Sequence, residues 1–176
     1  TEKRMSTLQT GTVLGGQWRV QTFLGEGACA KVYSVQPTDP INSKLPYEVV
    51  AKVIPIGGGS KSKSDKAQER LANTLYYEYS LYTGLLYGFP CCPQLPLKFY
   101  GDDNNLRLRY LVMEKMDMDL VAYSKRGSIT VSEVATLGLQ ILAGLRWLHQ
   151  KFFLFIDVKP DNFMLKGDKL YFIDCK

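Results

Sequence analysis

Asp157-Val158-Lys159-Pro160-Asp161-Asn162, with Asp174 a short way beyond, is the stretch of this sequence with the most chemistry in it. A carboxylate and an ammonium in one short loop can divide a reaction between them. Asp157 can orient a hydroxyl, and Lys159 can meet the charge of a phosphoryl group in transfer. Asn162 and Asp174 are hard oxygen ligands of the kind Mg²⁺ takes. Three further features point the same way. Gly25-Glu26-Gly27-Ala28-Cys29-Ala30-Lys31 is a glycine pair in a turn, where backbone N–H groups can approach phosphate oxygens. Ala30 stands where a third glycine would complete G-x-G-x-x-G, and strands on both sides argue against a dinucleotide fold, where a helix would follow. Lys52 lies inside the apolar run Val49–Ile54, so it must reach water or find an anion. Glu78 shares a helical stripe with Leu71, Leu75 and Tyr82, and a carboxylate there wants a cation. Pairing Glu78 with Lys52 would aim the lysine at a ligand's phosphates. Singly, these read as a turn, an edge-strand lysine and a rim carboxylate.

The elements that must position these groups follow from periodicity and turn chemistry. Trp18–Leu24 and Lys31–Gln36 alternate and form a hairpin about the glycine turn. Residues 37–47, with three prolines, are a loop, and Val49–Ile54 reads as a buried central strand. Gly57–Ser64 has the composition of a flexible linker. A helix is expected over about 66–84, then strands Leu97–Tyr100 and Leu108–Glu114 around Asp102-Asp103-Asn104-Asn105. A second helix is expected over 131–150. It opens on a T-x-x-E capping box, Thr130 and Glu133, and carries the stripe Val134, Leu137, Ile141, Leu145 and Leu148. Phe163–Leu165 and Leu170–Ile173 are short strands joined by Lys166-Gly167-Asp168-Lys169. Strands with one helix, followed by a helix with short strands, make an α+β chain of two lobes.

With 176 residues the chain can bury a sizeable core, and its net charge of +5 is spread out. No clear nucleic-acid surface and no membrane span are expected. The four cysteines lack any C-x-x-C spacing and read as free thiols of a reducing compartment, cytoplasmic or nuclear. No secretory signal is visible, and the missing initiator Met suggests a piece of something longer.

Gly25/Gly27, Ala51-Lys52, Glu78, Asp157/Lys159/Asn162 and Asp174 occur in the order and approximate spacing of the eukaryotic protein kinase set. Asp157–Phe163, Glu78–Tyr82, and Val112-Met113-Glu114 followed by Asp119-Leu120 resemble the casein kinase one and vaccinia-related kinase group. Gly25-Glu26-Gly27-Ala28 with Val32-Tyr33 is also similar to the spindle-checkpoint Bub kinases. The resemblance covers about residues 17–174. It implies a protein-kinase-like two-lobe fold that holds ATP and Mg²⁺ and acts on a Ser/Thr hydroxyl of a protein substrate. By the same resemblance Leu24, Val32 and Ala51 would roof the adenine and Met164 would be its floor. Met113 would be the gatekeeper, Glu114 and Met116 would offer backbone hydrogen bonds, and Asp119 would reach the ribose. Gly25 and Gly27 would cover the phosphates, Lys52, held by Glu78, would contact them, and Lys159 would stabilise the γ-phosphoryl. Asp157 would accept the hydroxyl proton, and Asn162 and Asp174 would hold the metal.

Two places depart from the family pattern. Phe155-Ile156-Asp157 replaces His-Arg-Asp, and Asp174-Cys175-Lys176 replaces Asp-Phe-Gly. The first loses the basic partner of a phosphorylated activation loop. The second substitutes a smaller spine residue. They leave open a pseudokinase that binds nucleotide or a partner without catalysis. The expected organisation is a loose lead-in at 1–15, an N-lobe and hinge at 16–116, and a partial C-lobe at 117–176. The chain is expected to stop before the domain is complete, leaving Leu137, Ile141 and Leu145 partly uncovered, and to be a monomer when complete.

Overall fold

β-Branched and aromatic residues at alternate positions turn the first half of the chain into strands. The computed structural model describes residues 6–27, 30–39, 44–57 and 62–175. Two compact units contain them, Thr1–Tyr79 with Gln94–Lys115, and Ser80–Pro93 with Met116–Lys176. The first holds β1 (Val13–Leu14), β2 (Trp18–Glu26), β3 (Lys31–Pro37), β4 (Val49–Pro55), β5 (Tyr100–Asp103) and β6 (Leu108–Glu114). They form one antiparallel sheet in the order β1-β2-β3-β4-β6-β5, with β4 inside it as expected. Period-two alternation sorts its side chains. Trp18, Val20, Tyr33, Val35, Val49, Ala51, Val53 and Val112 build the hydrophobic core on one face. Val32, Val50, Lys52, Leu111 and Met113 alternate with them onto the other.

Three expectations for this unit change. Val13–Leu14 pairs with β2 and Leu14 is fully buried, so the stretch read as a loose lead-in contributes an edge strand. Residues 1–5 lie outside the described residues. Helix α1 (Lys63–Thr83) begins inside the Ser/Lys segment read as linker, because Ser62 Oγ accepts from Asp65 N at 3.1 Å and caps the first turn. Residues 58–61 of that segment lie outside the description. β5 begins three residues later than expected. Leu97 is exposed, Lys98 takes a φ of 56°, and Asp103 is a buried strand end rather than a turn residue. Its carboxylate accepts from Gly15 N and Leu106 N, both at 2.9 Å.

The second unit holds β7 (Met118–Asp119), α2 (Leu120–Ser124), α3 (Val131–Gln150), a 3₁₀ turn at Pro160–Asn162, β8 (Phe163–Lys166) and β9 (Lys169–Phe172). β7-β8-β9 form a small antiparallel sheet. The capping box is present, with Thr130 Oγ1 accepting from Glu133 N while the Glu133 carboxylate accepts from Thr130 N. Buried Leu148 and Gly144 mark the inner face of α3, Leu137, Ile141 and Leu145 are half-buried, and Val134 is exposed. The Gln140 side chain ties α3 to the β8–β9 hairpin, donating to Asp168 O and accepting from Leu170 N. Ser80–Pro93 belongs to this unit. Phe89 stacks on Trp147 at 4.8 Å, and Phe172 N donates to Cys91 O. Among the described residues no helix is long and apolar enough to cross a membrane.

Candidate active site

Lys52 and Glu78 meet in the first unit. Lys52 Nζ donates to Glu78 Oε1 at 2.8 Å, with side chains 12% and 4% exposed. At that depth the carboxylate needs its cation, since an unpaired buried charge is costly. α1 delivers Glu78 on the face that also buries Ala72 and Leu75. On β4, alternation decides which neighbours share the lysine's surroundings. Val32 stands directly opposite Lys52 on β3, Leu111 opposite it on β6, and Met113 opposite Val50. Ala51 does not belong to this group. It points to the other face, fully buried in the core, so its expected place above the adenine is corrected. The residue two before Lys52, on its own face, is Val50. The sequence reading missed it by matching the residue adjacent to the lysine instead of applying the strand period.

The glycine turn lies at the β2–β3 junction. Gly25 pairs with Val32, and Gly27 N donates to Ala30 O at 2.8 Å. Ala28 and Cys29 are outside the described residues. Neither glycine has a positive φ, and a Cβ on Gly25 would meet nothing within 4 Å. The fold itself therefore sets no requirement for glycine at position 25. Leu24 is 47% exposed beside it. Glu114 is buried, its N–H donates to Gln94 O, and its carboxylate accepts from Gln94 N. A 350 Å³ cleft in this unit, lined by Gln21, Tyr47, Glu48 and Lys115 among others, contains none of the expected site residues.

In the second unit one loop gathers Asp157, Lys159 and Asn162. Lys159 Nζ lies 2.8 Å from Asp157 Oδ2. Asn162, buried in the 3₁₀ turn, donates from Nδ2 to Asp157 O at 2.8 Å and to Asp157 Oδ2 at 2.9 Å. The amide nitrogen is committed to Asp157, so Oδ1 is the atom of Asn162 able to face a cation. The hydrogen bond to Asp157 raises the Lys159 ammonium above its usual range, with Asp161 and Asp174 adding in the same direction. The β8–β9 hairpin carries the chain to Asp174, and Ile173 N donates to Asn162 O at 3.0 Å. Asp174 sits in left-handed backbone, φ 52°. Phe155 is buried, its ring 5.3 Å from Phe172 and 5.8 Å from Phe163. The aromatic at that position thus fills an apolar site, and Cys175 is buried as well. Met116 is buried and Met164 half-buried on β8. The Asp119 carboxylate caps α2, accepting from Ala122 N at 2.6 Å.

The protein kinase domain family matches residues 18–174. This chain belongs to that family. Among curated relatives, the kinase domain is 29% identical over 160 residues to the sporulation protein kinase mde3 of Schizosaccharomyces pombe, covering 89% of this chain and 26% of that protein. It is 27% identical over 173 residues to a putative serine/threonine-protein kinase of Caenorhabditis elegans, covering 95% of this chain and 44% of that one. The chain therefore spans less than half the length of the relatives it matches. In fold it is similar to the Mycobacterium tuberculosis PknI kinase domain, with a TM-score of 0.62 at 20% identity over 97% of this chain and 63% of that one.

Each half of the kinase domain thus assembles its own charged group from within. The first holds the lysine–glutamate pair, the second the Asp157-Lys159-Asn162 network. Among the described residues no cluster of three or more His, Cys, Asp or Glu could hold a metal alone. Asn162 and Asp174 offer two hard oxygens. That donor set fits Mg²⁺, which commonly takes one or two protein carboxylates or amides and completes its shell with phosphates and water.

Proposed function

We propose that this domain serves an ATP-dependent serine/threonine protein kinase, which moves the γ-phosphoryl of ATP to a protein hydroxyl. The observation that carries the reading is the Asp157-Lys159-Asn162 network on the D-x-K-P-x-N loop. In this reading Asp157 orients the substrate hydroxyl and accepts its proton, and Lys159 balances the charge on the phosphoryl. Lys52, fixed by Glu78, holds the α- and β-phosphates. Gly25 and Gly27 let backbone N–H groups approach them, which accounts for a glycine at position 25 that the fold does not require. Leu24, Val32, Val50 and Met164 are the apolar residues proposed to contact the adenine, and Met113 limits its depth. The backbone of Glu114 and Met116 hydrogen-bonds the adenine edge. Asp119 reaches the ribose only by sharing a carboxylate already bound to Ala122 N. Asn162 and Asp174 hold Mg²⁺, which when bound neutralises phosphate charge.

The N-lobe with hinge is assigned to 16–116 and the C-lobe part to 117–176. The D-V-K-P-D-N-F stretch supports the casein kinase one and vaccinia-related group. The absence of any C-x-x-C spacing among the four cysteines supports a reducing compartment, cytoplasmic or nuclear. A protein carrying Ser/Thr is the proposed substrate, and the complete protein is proposed as a monomer. Phosphate transfer from ATP to an acidic protein such as casein should vanish with Asp157→Asn. MgATP should raise the melting temperature, and Lys52→Met should abolish the shift. Phe155-Ile156 in place of His-Arg favours a second reading, a pseudokinase. A preserved MgATP shift with no transfer by the full-length protein would select it.

A further inference from the structure

The geometry points to Arg109 as the residue that positions Glu78 for its bond to Lys52. Arg109 stands on β6 opposite Asp102 of β5. Its guanidinium closes a fork on that carboxylate, Nε to Oδ1 at 2.7 Å and Nη2 to Oδ2 at 2.8 Å. The remaining amino group, Nη1, donates to Asn73 Oδ1 on α1 at 2.9 Å. A guanidinium is planar, so a carboxylate gripping one edge fixes the direction in which the third donor points. The clasp is partly shielded, with Arg109 15% and Asp102 35% exposed. The second attachment of α1 is aromatic. Tyr79, next to Glu78, stacks on Tyr100 of β5 at 4.4 Å and 22°, and Arg109 Cζ lies 5.9 Å from the same Tyr100 ring.

These two attachments flank Glu78 along the helix, and they differ in kind. Stacked rings tolerate sliding. A hydrogen bond from a clamped guanidinium does not. A shift of α1 by one residue is about 1.5 Å along its axis, enough to break a 2.8 Å bond between Glu78 and Lys52. Tyr79 and Tyr100 therefore supply adhesion, and Arg109 with Asn73 supplies the registration. Arg109 is a positioning residue that acts through Glu78. Its consequence for nucleotide binding rests on the proposed contact of Lys52 with phosphates.

Two measurements on the purified chain test this, one of which needs no nucleotide. The acylation rate of the Lys52 amine, read by mass spectrometry, should rise severalfold in Arg109→Lys and Asn73→Ala, as in Glu78→Gln. Asn73→Asp, which keeps an acceptor for Nη1, should match wild type. An unchanged rate in Arg109→Lys or Asn73→Ala overturns the inference. By calorimetry, Arg109→Lys and Asn73→Ala should weaken MgATP about tenfold, a difference of about 1.4 kcal/mol, while adenosine binding stays within about twofold. On a Glu78→Gln background neither should have further effect. Equal losses for MgATP and adenosine, or a full loss persisting without Glu78, would mean that Arg109 merely supports the fold and would overturn the proposal. If wild type binds no MgATP while the acylation response holds, the nucleotide reading of Lys52 falls and the positioning role stands.

Discussion

Replacing Gly144 of α3 with alanine sets two effects of known sign against each other. In a helix interior the exchange favours alanine by about 0.5–1 kcal/mol, because glycine loses more backbone freedom on folding. Against that, an added Cβ would lie 2.4 Å from Phe172 Cε2 and 2.5 Å from Cζ. Carbon atoms pack at about 3.5–4.0 Å, so the ring would have to retreat by more than about 1 Å. It has no free direction, being fully buried with Phe89, Phe155 and Phe163 edge-on at 5.3, 5.3 and 4.9 Å. Overpacking of this kind costs about 1–3 kcal/mol, so the net expectation for Gly144→Ala is a loss of about 0–2.5 kcal/mol. Gly138 supplies the control. It lies on the same helix, and a Cβ there would meet nothing within 4 Å, so Gly138→Ala should stabilise by about 0.5–1 kcal/mol. Urea unfolding followed by circular dichroism measures both, with the midpoint moving and the slope constant. A Gly144→Ala protein more stable than wild type, or a less stable Gly138→Ala protein, would refute the reasoning.

Three more expectations concern single groups. Hydrogen bonds from Thr130, its hydroxyl foremost, hold the Glu133 carboxyl below the usual carboxylate range. A depressed folded-state value stabilises above the unfolded carboxylate value and is lost as pH falls through the folded one. Thr130→Ala should accordingly lower the melting temperature by a few degrees at neutral pH and by less below about pH 4. Asp157→Asn should return the Lys159 ammonium toward its ordinary value, read as a downward shift of its titration midpoint by NMR, whereas an unmoved midpoint would deny the 2.8 Å contact in solution. Phe155→His, which places a polar ring among Phe163 and Phe172, should destabilise by about 1–3 kcal/mol in a chemical melt.

What could be read from the sequence was what repeats locally. The hairpin of β2 and β3, the buried β4, the α1 stripe with Glu78 and the capping box at Thr130 each leave a pattern a few residues long. β7 and α2 leave none. They are two and five residues long and exist because β8 pairs with Met118–Asp119 and Asp119 caps the turn that follows. The edge strand at Val13 was hidden in polar surroundings, where only its pairing with Arg19 and Trp18 reveals it. In the site, the lysine–glutamate pair followed from one residue on a strand and one on a stripe. Ala51 and Lys52 are neighbours in sequence but face opposite sides of β4, and the strand period places Val50 beside the lysine. The Arg109–Asn73 bond joins residues 36 apart, and no local rule marks either residue.

Asp174 carries one more implication. Left-handed backbone disfavours side chains in general and is tolerated best by glycine, then by asparagine and aspartate. Glycine would relieve the backbone but bring no oxygen, and glutamate would bring the oxygen while straining the backbone by about 1–2 kcal/mol. Under the proposed role of Asp174 as a Mg²⁺ ligand, the position is filtered twice, once by geometry and once by chemistry, and aspartate and asparagine pass both. Of those two, only aspartate also brings a full negative charge. Under that role glycine at residue 174 should fold but lose the cation, glutamate should keep an oxygen but fold less well, asparagine should keep the fold and a neutral ligand, and apolar β-branched side chains should lose both.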